Sequence, residues 1–246
     1  MDVADRACDL ECVGNKGKAE GPVTHEFVGP VRIVLVELSA ADYRRKIWGS
    51  AVFTFIMMLI GVNVFTVFFF TLTFQLPLFM NLHVFLCTMG FQLFMPIGIL
   101  MFSPLFGGSM YLTPNDRTYQ HFILEIFAVS TGLAGTILSL GHMKYSCHAV
   151  TGFIGTVLAV LASLVGLIIY FIGPKNIDGQ FIKETHRYLA ISGFIFCTAC
   201  FILGLLEKIF IKWIAIKNVH FILILFSVLY TLAAMMSTKL RTTYGT

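Results

Sequence analysis

Charge is scarce in this chain: only 12% of its 246 residues are Asp, Glu, Lys or Arg, while 57% are apolar. An ordinary soluble domain carries about 25% charged residues. The deficit excludes that class and, with a mean hydropathy of +0.85, marks a membrane-embedded protein. The balance of 17 basic over 13 acidic residues is small, and the bases cluster between apolar blocks, so a nucleic-acid-binding stripe is excluded. The six cysteines (Cys8, Cys12, Cys87, Cys147, Cys197, Cys200) are scattered, four of them in or beside apolar runs, which excludes a secreted disulfide framework. Cys8 and Cys12 form one C-x-x-x-C and lack the second pair that a full metal ligand set needs. Residues 1–46 lack the basic start, apolar run and small-residue site of a secretory signal and read as a polar, unstructured tail.

Long apolar runs are what the chain does have. A hydrocarbon core about 30 Å thick needs roughly 20 apolar residues in a helix. Six such blocks lie near 47–72, 82–103, 119–140, 147–172, 186–206 and 217–237, separated by polar breaks such as Gly107-Gly108 and Gly173-Pro174-Lys175-Asn176. The fold expected is an all-α integral membrane protein, with a transmembrane domain over 47–240 and a short tail at 241–246. Six spans put both termini on one side. That side carries ten bases near the spans (Arg32, Arg44, Arg45, Lys46, Arg117, Lys175, Lys183, Arg187, Lys239, Arg241) against four on the other (Lys144, Lys208, Lys212, Lys217). The positive-inside rule then assigns the termini to the cytoplasm.

Four of the seven histidines, His83, His121, His148 and His186, stand near the starts of the second to fifth blocks. His83 precedes His121 by 38 residues and His148 precedes His186 by the same 38, so the second helical hairpin repeats the first at an offset of 65. Alternating helix direction places His83 and His148 in one leaflet and His121 and His186 in the other. Pairing His83 with His121 would require one ion to reach across roughly 20 Å or more of helix at 1.5 Å per residue. Neutral imidazole is a good iron ligand, and two of them fill both axial positions of a haem and leave a centre that passes electrons. A zinc site needs three or four converging ligands, whereas these fall into two separated pairs. The arrangement expected is two b-type haems, one per leaflet, in a four-helix core.

At these residues the chain resembles the cytochrome b561 family. The matching stretches are His83-Val84-Phe85-Leu86 leading to Met95-Pro96-Ile97-Gly98, then Gln120-His121-Phe122, His148-Ala149-Val150-Thr151-Gly152 and His186-Arg187-Tyr188-Leu189. The likeness covers about residues 47–240 and is nearest to the short six-helix transmembrane reductases that lack a DOMON domain. It implies that His83 and His148 ligate the non-cytoplasmic haem and His121 and His186 the cytoplasmic one. It further implies electron flow from cytosolic ascorbate to monodehydroascorbate or ferric iron, a homodimer, and a vesicle or endoplasmic reticulum membrane in preference to the plasma membrane. Val84 stands where many members have proline, which leaves the ligand in place.

The ends of the electron path are marked less strongly. Arg117, Lys183 and Arg187 lie within four residues of His121 or His186 and would draw an anionic donor, though positive-inside flanks and haem-propionate partners have the same composition. Ascorbate-using members carry two lysines before the second histidine, where this chain has Asp116 and Arg117. That leaves open a second reading, a dihaem carrier serving a protein partner without a small-molecule site. A third, a colourless transporter or structural protein, also stays open. On the opposite face, His142 and Lys144 match the family's outer substrate site. Glu125 lies one turn beyond His121 inside an apolar span, where a carboxylate is costly. Asn63 and Gln92 are explained by bonds between helices, Cys197 and Cys200 by packing, and the glycines at 132, 135, 152, 155 and 166 by close approach of helices or of a flat ring.

Overall fold

The computed structural model describes residues 24–27, 33–36, 39–103, 114–141, 145–172, 179–214 and 216–243. The chain divides into two compact units, Met1–Ile47 and Trp48–Thr246. In the first, the stretch expected to be an unstructured tail holds a hairpin. Strand β1 (Thr24–Phe27) pairs antiparallel with β2 (Ile33–Val36), Thr24 opposite Val36 and Phe27 opposite Ile33. The run Ile33-Val34-Leu35-Val36 is apolar and β-branched at every position but Leu35, which suits a strand; the general polarity of the tail conceals it.

The membrane helices are α1 (Ala40–Thr73), α2 (Leu78–Leu100), α3 (Pro114–Leu140), α4 (Cys147–Ile172), α5 (Gly179–Leu205) and α7 (Val219–Thr243), with the short α6 (Lys208–Trp213) before the last. Each of the six holds a stretch of 19 to 31 residues apolar enough to cross a bilayer, as expected from the sequence. Local chemistry sets several starts. Pro77 immediately precedes α2, and Pro114 opens α3 where its missing N–H has no intrahelical partner to lose. Asn218 takes a left-handed φ of 68° before α7, a conformation asparagine tolerates better than most residues. Helix α5 begins at Gly179, seven residues before His186, so this histidine lies two turns inside the helix.

Helix α2 is not uniform. Leu78–Thr88 and Met95–Leu100 are α-helical, and Met89–Phe94 between them is a π-helical turn. Pro96 follows that turn. It has no N–H for the Gln92 carbonyl, and its ring crowds the preceding turn, one of the recognised causes of a local break in the i→i−4 pattern.

The core joins α1, α2, α5 and α7 through Ile60, Val64, Phe91, Met95, Phe194 and Tyr230, all buried. A second cluster gathers Val67 and Phe70 of α1 with Phe210 of α6 and Leu223 of α7. The apolar surface on Phe55, Phe65, Phe69 and Phe171 is exposed, as lipid-facing residues are. Phe70 is buried instead. It turns inward onto Phe210 and Trp213, ring centres 5.2 Å away in each case, and Trp213 Nε1 donates to Thr73 Oγ1 at 2.9 Å.

Candidate functional site

The two histidine pairs meet inside the four-helix core. His83 of α2 faces His148 of α4 with ring centres 6.3 Å apart and ring planes at 87°. His121 of α3 faces His186 of α5 with the same separation and angle. Each Nδ1 lies within hydrogen-bond distance of a backbone carbonyl on another helix: His83 to Gly135 at 2.9 Å, His148 to Cys200 at 2.9 Å, His121 to Gly98 at 3.0 Å and His186 to Ala162 at 2.9 Å.

That pattern has a chemical meaning. A carbonyl can only accept, so each Nδ1 carries the proton and each Nε2 keeps its lone pair for a metal. Imidazole–metal bonds run about 2.0–2.1 Å in the well-characterised zinc case, and a ring nitrogen lies roughly 1 Å from its ring centre. Two imidazoles on one ion therefore set their centres about 6 Å apart, which the observed 6.3 Å fits. Small residues border the rings. A Cβ built on Gly166 would fall 3.0 Å from His186 Cε1, and one on Gly204 would fall 3.3 Å from His148 Cε1. Among the described residues no three His, Cys, Asp or Glu side chains converge on one ion position, so the donors suit a bis-imidazole centre and not a zinc site.

The two pairs differ in their surroundings. Cys87 Sγ lies 3.6 Å from His83 Nδ1, and Cys200 Sγ lies 3.5 Å from His148 Nδ1, so both imidazoles of one pair rest against thiols. Cys200, read from sequence as a packing group, thus has a second role as a neighbour of His148, and Cys87 is a neighbour of His83 that the sequence reading did not single out. The spacing of Cys87 four residues after His83 is the signal for one of them. Beside the other pair stands Glu125, whose Oε1 is 3.8 Å from His121 Nδ1 and makes no hydrogen bond of its own.

Of the residues expected near substrates, Arg117 is half-buried with its Nε shielded and unbonded, Lys183 is exposed, and the Arg187 guanidinium lies 5.3 Å from the centre of the Tyr188 ring. His142 and Lys144 lie outside the described residues, as do Cys8 and Cys12.

The family profile for eukaryotic cytochrome b561 matches residues 82–212, more than half of the chain. The chain belongs to the cytochrome b561 family. A search of curated proteins returned no match. Membership makes this protein a multi-pass membrane oxidoreductase whose electron transfer runs on b-type haem. The matched segment begins one residue before His83 and takes in all four paired histidines of the cytochrome b561 core.

Proposed function

We propose that the protein carries single electrons across its membrane through two b-type haems, one held by His83 and His148 and the other by His121 and His186. The observation that carries this reading is the pair of 6.3 Å imidazole facings, each with Nδ1 anchored to backbone and Nε2 left for iron. A haem iron with both axial positions filled by imidazole exchanges electrons and leaves no open position for oxygen. The residues supply rigid ligation, an apolar surround that excludes water, and a spacing of the two pairs along the bundle from one leaflet toward the other.

Cytosolic ascorbate is the donor in this reading, and monodehydroascorbate or ferric iron on the far side is the acceptor. Arg117, Lys183 and Arg187 gather positive charge near the His121–His186 end, and the excess of bases on the side of the termini supports a cytoplasmic placement for that end. His142 and Lys144 are the proposed acceptor contacts. The segment before His121 has Arg117 and no lysine, which favours a second reading, a dihaem carrier that hands its electrons to a protein.

A reduced-minus-oxidised spectrum of the purified protein with haem quantification tests the ligand assignment. Two haems per chain are expected, with one lost in His83→Ala and the other in His121→Ala; retention of both haems in either variant would refute it. Ascorbate reduction of the loaded protein in detergent separates the reductase from the carrier. A His142 variant that alters acceptor reduction with both spectra intact would support the outer contact.

A further inference from the structure

The hydrogen bonds of the four histidines give a register for the internal repeat. His83 reaches a carbonyl 52 residues on, and His148 likewise reaches one 52 residues on, so this half of the repeat keeps its offset of 65. The glycine contacts keep it as well. A Cβ on Gly90 would meet the backbone N of Gly132 at 2.7 Å, and one on Gly155 would meet the backbone N of Cys197 at 2.9 Å, each pair standing 65 residues from its counterpart.

Beyond Gly90 the register breaks by one. His121 bonds a carbonyl 23 residues back, at Gly98, while His186 bonds one 24 residues back, at Ala162. Helix α2 therefore uses fifteen residues from histidine to acceptor carbonyl where α4 uses fourteen. In a regular α-helix one extra residue turns everything after it by about 100°, which would swing the Gly98 carbonyl away from His121. The π-helical turn Met89–Phe94 lies within that interval, and a π-bulge absorbs extra length because its bonds run i→i+5. Pro96 accounts for a weakened turn, but by itself it adds no residue.

We infer that Phe91 is a single-residue insertion absorbed by this turn, which aims Gln92 at Tyr230 while both histidine contacts of α2 stay in phase. Gln92 is buried, accepts from the Tyr230 hydroxyl at 2.5 Å and donates to the Cys197 carbonyl at 3.3 Å, so it joins α2 to α7 and to α5. The corresponding position in α4, where the turn is absent, is the buried Thr156. Among the described residues it bonds Thr136 of α3 at 3.0 Å and the Gly152 carbonyl of its own helix at 2.9 Å. The insertion thus converts a contact within the core into an anchor for α7, with Gln92 and Tyr230 as positioning residues. Phe91 itself packs its ring over Gly132.

The inference uses haem loading as a readout and in that respect rests on the proposed function, which the haem count of the unaltered chain tests separately. The experiment compares two one-residue deletions in the full-length protein, Phe91 from α2 and the exposed Val157 from α4. Deleting Phe91 should restore a regular fourteen-residue spacing and keep the wild-type haem count, with a thermal midpoint a few degrees lower. Deleting Val157 should turn Ala162 out of phase and lose a haem or prevent accumulation of the protein. Tyr230→Phe should lower the midpoint in the unaltered chain and have no further effect once Phe91 is gone. Loss of haem or failure to accumulate on deleting Phe91 overturns the inference, as does an equal response to the two deletions. If the unaltered protein held no haem, the thermal midpoints would still decide between these outcomes.

Discussion

The Glu125 carboxylate reaches to 3.8 Å from Nδ1 of His121, one turn back on the same helix, and its Oε1 is buried without a hydrogen bond. An unsatisfied polar group in an apolar interior costs about 1–3 kcal/mol. Glu125→Met, of similar volume, should therefore stabilise the protein by roughly that amount. Thermal unfolding in detergent checks this, with the haem count expected to stay at its wild-type value. A fall in both would show that Glu125 holds His121 in place.

Gly98 is the other neighbour of that carboxylate. A Cβ there would fall 2.6 Å from Glu125 Oε1, and the Gly98 carbonyl is the acceptor for His121. Gly98→Ala should displace one or the other and selectively weaken the His121–His186 haem, leaving the His83–His148 signal. Equal loss of both signals would point to general misfolding.

Sulfur resting on glycine gives a sharper test. A Cβ on Gly152 would meet Cys200 Sγ at 2.8 Å and its Cβ at an ordinary 3.8 Å, whereas a Cβ on Gly155 would meet Cys197 Sγ at 2.8 Å and also its backbone N at 2.9 Å. Overpacking of this kind costs about 1–3 kcal/mol. Gly152→Ala should be rescued by Cys200→Ala, and Gly155→Ala should not be rescued by Cys197→Ala. The four stabilities of each double-mutant cycle decide the point.

Charge at the donor end should act on rate. Removing Arg117, Lys183 and Arg187 together should slow reduction by ascorbate roughly tenfold or more and flatten its dependence on ionic strength, because steering of an anion is lost. Spectra of both haems should be unchanged. An unaltered rate would favour the carrier reading.

The six spans and the grouping of the histidines were legible in the sequence because hydropathy and a 65-residue offset are properties of the chain itself. Other features depend on contacts. Gly179–Thr185 carries Lys183 and Glu184 and resembles a loop in composition, yet it is helical and extends α5 by two turns. The turn at Met89–Phe94 is as apolar as its surroundings, and only the acceptor of His121 reveals the extra residue. Cys200 and His148 are 52 residues apart, so their contact gives no local sign.

The histidines' anchors bear on how such a protein can change over time. Gly135, Cys200, Gly98 and Ala162 share no side-chain chemistry, and each holds its histidine's Nδ1–H through a carbonyl oxygen. Every residue has that oxygen, so the bond itself does not fix identity; at Gly98 and Gly135 the limit is space, because a Cβ would fall 2.6 Å from Glu125 Oε1 at the first and 2.7 Å from Cys87 Sγ at the second. Selection on the metal-facing nitrogens would then be felt mainly as selection on helix spacing, distributed over many small residues.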